Sequence, residues 1–395
     1  MSRSTEFIPF ARASTDTREE EAVIRVLRSG WLTTGEEALA FEREFASAVG
    51  VSHALAVNSA TAGLHLALEA AGIGAGDLVI TTPYTFTASA EIARYLQADP
   101  LFVDISEDDL NIDPDQIARA VESNDRVKAI VPVHIGGHPC RMPRILEIAR
   151  KHDLAVIEDA AHVSPVPADA ESQSTWPAGS RGDASVFSFY ATKPITTGEG
   201  GMVVTDDDDL ARRISVMRLH GIDRDAWDRY TAQSAAWEYG VVAAGFKYNM
   251  PDLLASIGRV QLRKAAAFMR RRREVAEQYR AGLRELDYLR LPEPGATSSW
   301  HLYVVRLVES RVSITRDEFA RKLVADGIGV SVHYRPLHLM PFYRDRYGLR
   351  PEDFPVSLSA YQTAISLPIY PSLADEDVDR VVRSVKRIGD SALVR

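Results

Sequence analysis

The sequence predicts an α/β protein, with a mainly parallel sheet covered by helices and a smaller α+β domain after it. Between residues 50 and 205, short apolar runs alternate with stretches of helical apolar spacing. Strands buried on both faces, with helices crossing between them, give that pattern. Past residue 252 a single long helical stretch leads into strands and helices in a different order. A chain of 395 residues is long enough for two such units.

Taken in order, residues 79–82, 100–104, 129–133, 155–159, 184–190 and 201–205 read as buried strands. Residues 61–71, 88–97, 113–122 and 143–151 carry helical spacing between them. Asp206-Asp207-Asp208-Asp209 reads as a helix start with acids in its first turn. A calcium loop needs spaced ligands and a glycine instead. Residues 221–246 are polar and aromatic without periodicity, the mark of a long connection over a site. A helix then runs from 252 to about 286, and its four arginines, 270–273, read as a solvated face. Residues 300–307, 315–326, 329–334 and 375–388 complete the second domain. The division is therefore 1–250 for the large domain and 251–395 for the small one.

A net charge of −9 and a pI near 5.6 argue against nucleic acid as the main partner. Any anionic substrate must be held by local donors. The single cysteine, Cys140, leaves no intramolecular disulfide and fits a reducing, cytoplasmic compartment. The N-terminal segment Met1-Ser2-Arg3-Ser4-Thr5-Glu6 shows no apolar core of signal-peptide length and no later segment is long enough to span a bilayer, so no membrane partner is expected.

The residue that says most about chemistry is Lys193. It follows the apolar run Ser185-Val186-Phe187-Ser188-Phe189-Tyr190, and Gly198-Glu199-Gly200-Gly201 comes shortly after. A surface charge has no reason to sit behind such a stretch. Desolvation lowers an ammonium pKa, and the free amine is the form that attacks a carbonyl carbon. Upstream, Asp159 ends the apolar run 154–157 in Glu158-Asp159-Ala160-Ala161-His162. An acid at a buried strand end is the partner a pyridinium nitrogen needs, so the two together suggest pyridoxal phosphate.

Supporting positions follow from the same pattern. Asn58-Ser59-Ala60-Thr61-Ala62-Gly63 opens a helix after an apolar run, and its small residues would let backbone N–H groups approach a phosphate. An ordinary helix cap would read the same way in isolation. Phe86 could stack on a flat ring or simply pack in the core. His162 could cover the other ring face or be a hydrogen-bonded structural histidine. Ser188 suits a hydroxyl donor to phosphate or a buried serine bonded to backbone. Other motifs fail on context. Gly72-Ile73-Gly74-Ala75-Gly76 follows a helix and precedes a strand, the wrong order for a dinucleotide loop. His134 and His138 lack accompanying ligands at metal spacing, and no metal is expected.

With these motifs in place, the chain resembles the DegT/DnrJ/EryC1/StrS family of nucleotide-sugar aminotransferases along nearly its whole length. The likeness is carried by Ser29-Gly30-Trp31-Leu32-Thr33-Thr34-Gly35, the 58–63 segment, Pro83 to Phe86, Glu158 to His162 and Ser188 to Lys193. Gly198 to Gly201, Arg218-Leu219-His220-Gly221, Tyr248-Asn249, His333-Tyr334-Arg335-Pro336-Leu337-His338 and the 365–371 run extend it. The resemblance implies the pyridoxal-phosphate-dependent transferase fold type I, with a mainly parallel seven-stranded sheet covered by helices on both faces and a smaller α+β C-terminal domain.

It also implies that Lys193 forms the internal aldimine, Asp159 partners the pyridine nitrogen, and Phe86 and His162 flank the ring. Ala60, Thr61 and Ser188 would bind phosphate, and Asn249 would reach the phosphate held by the other subunit of a homodimer. Thr33, His333 and Tyr334 would contact substrate. The implied reaction takes an amino group from L-glutamate to a keto-sugar nucleotide. The 245–250 segment is closer to members that aminate C4 of a dTDP- or UDP-linked 4-keto-6-deoxy sugar. Amination at C3, amination of a ketocyclitol such as an inosose, and sugar dehydration are the alternatives. Relatives that dehydrate replace the lysine with histidine, and this chain keeps Lys193.

Overall fold

The computed structural model describes residues 6–167, 179, 181–223, 239–293 and 297–394. Of the predicted connection over 221–246, residues 224–238 lie outside the described residues.

Two helices precede the sheet, α1 (Thr17–Ser29) and α2 (Glu36–Val49). The large sheet is built from β1 (His53–Val57), β2 (Leu78–Thr81), β3 (Asp99–Phe102), β4 (Val127–Ile130), β5 (Ala155–Asp159), β6 (Ala184–Ser188) and β7 (Gly201–Thr205). Between and after these strands come α3 (Ala60–Ala70), α4 (Ala88–Tyr95), α5 (Pro114–Glu122), α6 (Met142–His152) and α7 (Asp208–Met217). The seven strands lie in the order β1-β7-β6-β5-β4-β2-β3. Pairing is parallel from β3 through β6, and β7 runs antiparallel to both of its neighbours. The reversal has a simple cause. Residues 189–200 form no helix that could carry the crossover a parallel partner of β6 would need.

Each predicted strand and helix of the 79–205 region is present, with ends shifted by a few residues. The strand predicted over 129–133 leaves the ladder after Ile130, and Val133 pairs only at a single bridge with Asp159. The quartet of aspartates starts α7 as expected, with the Asp207 side chain accepting from the N–H groups of Asp209 and Leu210. Helix α3 lies close against the sheet because Gly63 has no Cβ. A Cβ there would sit 2.7 Å from Val186 Cγ1.

The long helix α8 (Asp252–Leu283) joins the two cores. Its N-terminal part, as far as Met269, places Ala255, Ala265 and Met269 in one core with Phe41, Phe187 and Phe189 of the large domain. Its second half packs Val275, Ala276, Tyr279 and Leu283 against the C-terminal core. At its start, the Asp252 carboxylate accepts the N–H groups of Gly35, Glu37 and Ala38, and so caps α2 from far along the chain. The C-terminal core is covered by a three-stranded antiparallel sheet of β8 (Leu289–Arg290), β9 (Tyr303–Leu307) and β10 (Ala364–Leu367), in the order β10-β9-β8. Helices α9 (Arg316–Ala325), α10 (Pro341–Tyr347), α11 (Pro355–Thr363) and α12 (Asp375–Ser391) complete the chain.

One expectation is overturned here. Arg272 is not part of a solvated face; it is 3 % exposed. It stands three, four, seven and eleven residues before Val275, Ala276, Tyr279 and Leu283, on the same apolar stripe. Its guanidinium donates to the carbonyls of Ile369 at 2.9 Å, Trp300 at 3.1 Å and His301 at 3.5 Å. Burial lowers its pKa to about 10. Among the described residues no helix is long and apolar enough to cross a membrane.

Candidate active site

A cavity of about 380 Å³ opens beyond the carboxyl ends of β5 and β6. Open α/β sheets bind their ligands in this position. Ala60, Thr61, Phe86, Asp159, His162, Ser188 and Lys193 all line it, together with His333 and Tyr334. Residues spread over 275 positions of sequence thus meet in one place. Thr33 and Asn249 are not part of this wall. Asn249 donates through Nδ2 to Thr34 Oγ1 at 2.6 Å, and the Thr33 carbonyl accepts the Asp252 N–H at 3.1 Å. Those two predicted residues therefore form a separate patch around the start of α8.

Lys193 sits half-buried in the loop after β6, where its N–H donates to the Tyr190 carbonyl at 2.9 Å. Burial pushes its amine down to about 8, and the Asp159 carboxylate pulls the other way. Asp159, at the end of β5, is 5 % exposed. It accepts from Ser89 Oγ at 2.7 Å and from the Ala161 N–H at 3.1 Å. A carboxylate has about four lone-pair sites, so acceptor capacity remains toward the cavity.

The adjacent Glu158 behaves differently. It accepts from His134 Nε2, the N–H groups of Gly179, Arg181 and Gly182, and Ser185 Oγ, at 2.6 to 3.1 Å. Burial pushes its carboxyl up, but the bond from His134 and those from the backbone of Gly182 and Arg181 more than offset it and hold the carboxyl low. His134 is thereby explained as a structural donor. Among the described residues, no group of three or more His, Cys, Asp or Glu side chains could hold a metal ion.

The opposite end of the cavity suits an anion. Ser59 caps α3 by accepting the Ala62 N–H at 3.1 Å. The N–H groups of Ala60 and Thr61, in the first turn, have no intrahelical partner and face the positive end of the helix dipole. Gly201 at the start of β7 lets the sheet pass beneath them, since a Cβ there would meet Ala60 N at 2.7 Å. Ser188, the last residue of β6, adds a hydroxyl to the same cavity.

Two flat side chains bound the space. Phe86 is 59 % exposed, so it is not core packing. His162 is 4 % exposed. Its Nδ1 accepts the Gly136 N–H at 3.1 Å, and its Nε2 lies 2.9 Å from the Tyr334 hydroxyl. Burial above all pushes the His162 pKa well down, and the charges of Lys193, His333 and His134 act in the same sense. His333 bonds through Nδ1 to Ser366 Oγ at 2.9 Å, and burial beside Lys193 lowers it to about 4.

The sequence reading missed two residues of this site, one behind the wall and one in it. Ser89 holds Asp159 from the first turn of α4 and is itself bonded to Thr85 Oγ1 at 2.9 Å, a contact no helical or strand periodicity announces. His301 lies with its ring centroid 4.4 Å from that of His162, and nothing in its local sequence announces this. A lysine with a depressed pKa, a carboxylate with spare capacity, a helix N-terminus and flat walls fit a group that is planar, anionic at one end and carbonyl-bearing. Pyridoxal phosphate is such a group.

The comparisons with known proteins agree with this geometry. Residues 13–386 match the family model described as the DegT/DnrJ/EryC1/StrS aminotransferase family. The spore coat polysaccharide biosynthesis protein SpsC of Bacillus subtilis is 43% identical over 391 residues, 98% of each chain. The putative sugar aminotransferase Spr1654 of Streptococcus pneumoniae, solved in its PMP-form, superimposes with a TM-score of 0.88 at 29% identity, covering 97% of this chain and 99% of that one. Helicobacter pylori PseC, an aminotransferase involved in the biosynthesis of pseudoaminic acid, gives a TM-score of 0.88 at 30% identity, covering 98% of this chain and all of that one (100%). The seven-stranded sheet with its small C-terminal sheet is thus the fold of these aminotransferases, and the chain belongs to the DegT/DnrJ/EryC1/StrS aminotransferase family.

Proposed function

We propose that this protein is a pyridoxal-phosphate-dependent sugar aminotransferase that moves an amino group from L-glutamate to C4 of a nucleotide-linked 4-keto-6-deoxy sugar. The observation that carries this reading is the meeting of Lys193 and Asp159 in one cavity, across from the N-terminus of α3. SpsC and PseC, whose names place them in polysaccharide and pseudoaminic acid biosynthesis, support a sugar substrate.

When bound, pyridoxal phosphate supplies a carbonyl carbon for the amine and a ring that accepts an electron pair. The residues of this chain do the rest. The backbone N–H groups of Ala60 and Thr61 and the Ser188 hydroxyl hold the phosphate. Phe86 and His162 would bound the ring. Asp159 keeps a proton on the ring nitrogen, and Ser89 orients that carboxylate. Lys193 Nζ is first nucleophile, then carrier of the proton taken from Cα of the donor. A pKa near 8 suits both tasks at neutral pH.

Asn249 and Thr33 act in the cavity of the partner subunit, which accounts for their place outside the wall of their own. The protein is accordingly a homodimer with shared sites, each chain divided at about residue 250 into a large and a small domain. Incubating the enzyme with L-glutamate and a panel of keto-sugar nucleotides, followed by mass spectrometry of the products, tests the reading. A C4-amino sugar nucleotide is the expected product. Exclusive turnover of an inosose, of a C3 ketone or by dehydration would replace it. Capture of the cofactor needs the free amine, which is charged below its pKa and neutral above. The capture rate of the apoprotein should therefore climb with pH and level off above about 8.

A further inference from the structure

Tyr334 stands beside both side chains that bound the ring space. Its ring is nearly parallel to that of His162, at 15° and 6.0 Å between centroids, and 6.4 Å from that of Phe86. It is half-buried, and desolvation pushes its phenol well above its usual pKa, with the negative charge of Asp159 acting in the same direction. Tyr334 therefore keeps its proton, and it lies on the side of the cavity that Asp159 reaches.

The direction of the hydrogen bonds decides what that proton can do. A backbone N–H can only donate, so the bond from Gly136 to His162 Nδ1 leaves that nitrogen without a hydrogen. The neutral ring must then carry its hydrogen on Nε2, 2.9 Å from the Tyr334 oxygen. His162 donates and Tyr334 accepts. The phenolic proton is left free to donate, and the space open to it is the cavity. No other bond of this hydroxyl occurs among the described residues.

The relay is held from behind. Gly136 gives its N–H to His162, and its carbonyl accepts the N–H of His301 at 2.9 Å. Trp300, just before His301, has a φ of 47°, a left-handed conformation that bulky residues rarely adopt. The buried Arg272 grips the carbonyls of both Trp300 and His301 and fixes that turn. Gly136, His301 and Arg272 are positioning residues; they act through His162.

We infer that Tyr334 donates its phenolic hydrogen bond to the ionised 3-hydroxyl oxygen of pyridoxal phosphate, with His162 locked in the Nε2–H tautomer to aim it. The inference rests on the cofactor reading given above. The phosphate end is served by α3 and Ser188, and the ring nitrogen by Asp159, so the ring oxygen is the remaining anionic acceptor beside the ring walls. Such a bond draws negative charge off that oxygen and weakens its hold on the proton shared with the lysine-bound nitrogen. The other titratable groups on the cavity wall are Asp159, His162, Tyr190, Lys193, Glu199, His301 and His333, with Tyr84 close behind Tyr334.

The test is a spectroscopic pH titration of the loaded enzyme, wild type and Tyr334→Phe, with no substrate present. The midpoint of the yellow band should rise in Tyr334→Phe by about one pH unit or more, a roughly tenfold gain in proton affinity. Far-ultraviolet circular dichroism and the yield of bound cofactor check that the variant is folded and loaded. A folded, yellow variant with an unmoved or lowered midpoint overturns the inference and leaves the cofactor reading standing. A wild-type protein that never turns yellow overturns the cofactor reading itself. Arg272→Met gives a second measurement: loosening the relay should move the midpoint the same way by less, and an unchanged midpoint removes Arg272 from the relay.

Discussion

Glu158 and Asp159 are neighbours in β5, both are buried, and alternation along a strand sends them to opposite faces of the large sheet. On one face, Glu158 meets five donors and has no capacity left for a ligand. On the other, Asp159 meets two and opens onto the cavity. Burial alone does not mark a functional acid. The unspent hydrogen-bonding capacity does, and it separates a carboxylate that holds the sheet together from one that waits for a cofactor.

The largest effect expected on the cavity side is from Lys193→Ala. Turnover should vanish and the lysine-bound yellow colour should be lost, although cofactor can stay bound through its phosphate. Measurable transamination in this variant would end the mechanism. Asp159→Asn comes next. It keeps the shape and removes the charge, so the glutamate half-reaction should slow on the order of a hundredfold or more. Its folding stability should move by only about 1 kcal/mol.

Glu158→Gln is the mirror experiment. The Gly179, Arg181 and Gly182 N–H groups cannot turn into acceptors, and His134 is fixed because its Nδ1 accepts the Cys140 N–H at 3.0 Å. Whichever way the new amide points, its NH₂ faces a donor. The cost should be about 3 kcal/mol of stability, read in chemical denaturation, with the half-reaction rate near wild type in the cold. If Glu158→Gln instead lost rate at unchanged stability, the division between the two faces would be wrong.

Much of the Asp159 side was legible in the sequence because it hangs on regular elements. A strand end, a helix start and a lysine after a buried run each leave a local pattern. The rest of the wall is different. His301 comes from irregular backbone, and its place depends on Gly136 and Arg272, which are distant in sequence; Tyr334 is named through the family resemblance and not through any local pattern. Arg272 did carry a signal, its register with Val275, Ala276 and Tyr279, but four consecutive arginines masked it. The strand β1 was visible as an apolar run, yet its pairing with the reversed β7 is a tertiary fact. Helix α1 announces itself with an Asp16-Thr17-Arg18-Glu19 capping box, and the pattern reading passed over it.

The comparison extends to the patch that lies outside the cavity. Asn249→Ala should weaken the phosphate grip by about 1.5–3 kcal/mol, enough to impair activity clearly. Protomers carrying Lys193→Ala are mixed with protomers carrying Asn249→Ala, and dimers are allowed to re-form. If Asn249 serves the partner's site, both lesions of a mixed dimer fall in one site and the other is intact, so activity recovers in part. If it serves its own site, each site carries one lesion and no recovery appears. The outcome decides whether the wall is complete within one chain.

The smallest effects offer the sharpest contrast, because two serines play the same role on the two faces. Ser89 Oγ donates to Asp159 at 2.7 Å, and Ser185 Oγ donates to Glu158 at 2.9 Å. Ser89→Ala leaves Asp159 with a single protein donor and less constraint on its direction. One such bond is worth about 1–1.5 kcal/mol, so the glutamate half-reaction should slow roughly fivefold to tenfold. Ser185→Ala leaves Glu158 with four donors, and the loss should appear as about 1 kcal/mol of stability with the rate unmoved. Single-turnover kinetics and urea melts on both variants give four numbers. Equal rate losses would mean that the two faces of β5 are coupled through the strand, and that spare hydrogen-bonding capacity does not by itself tell the working carboxylate from the structural one.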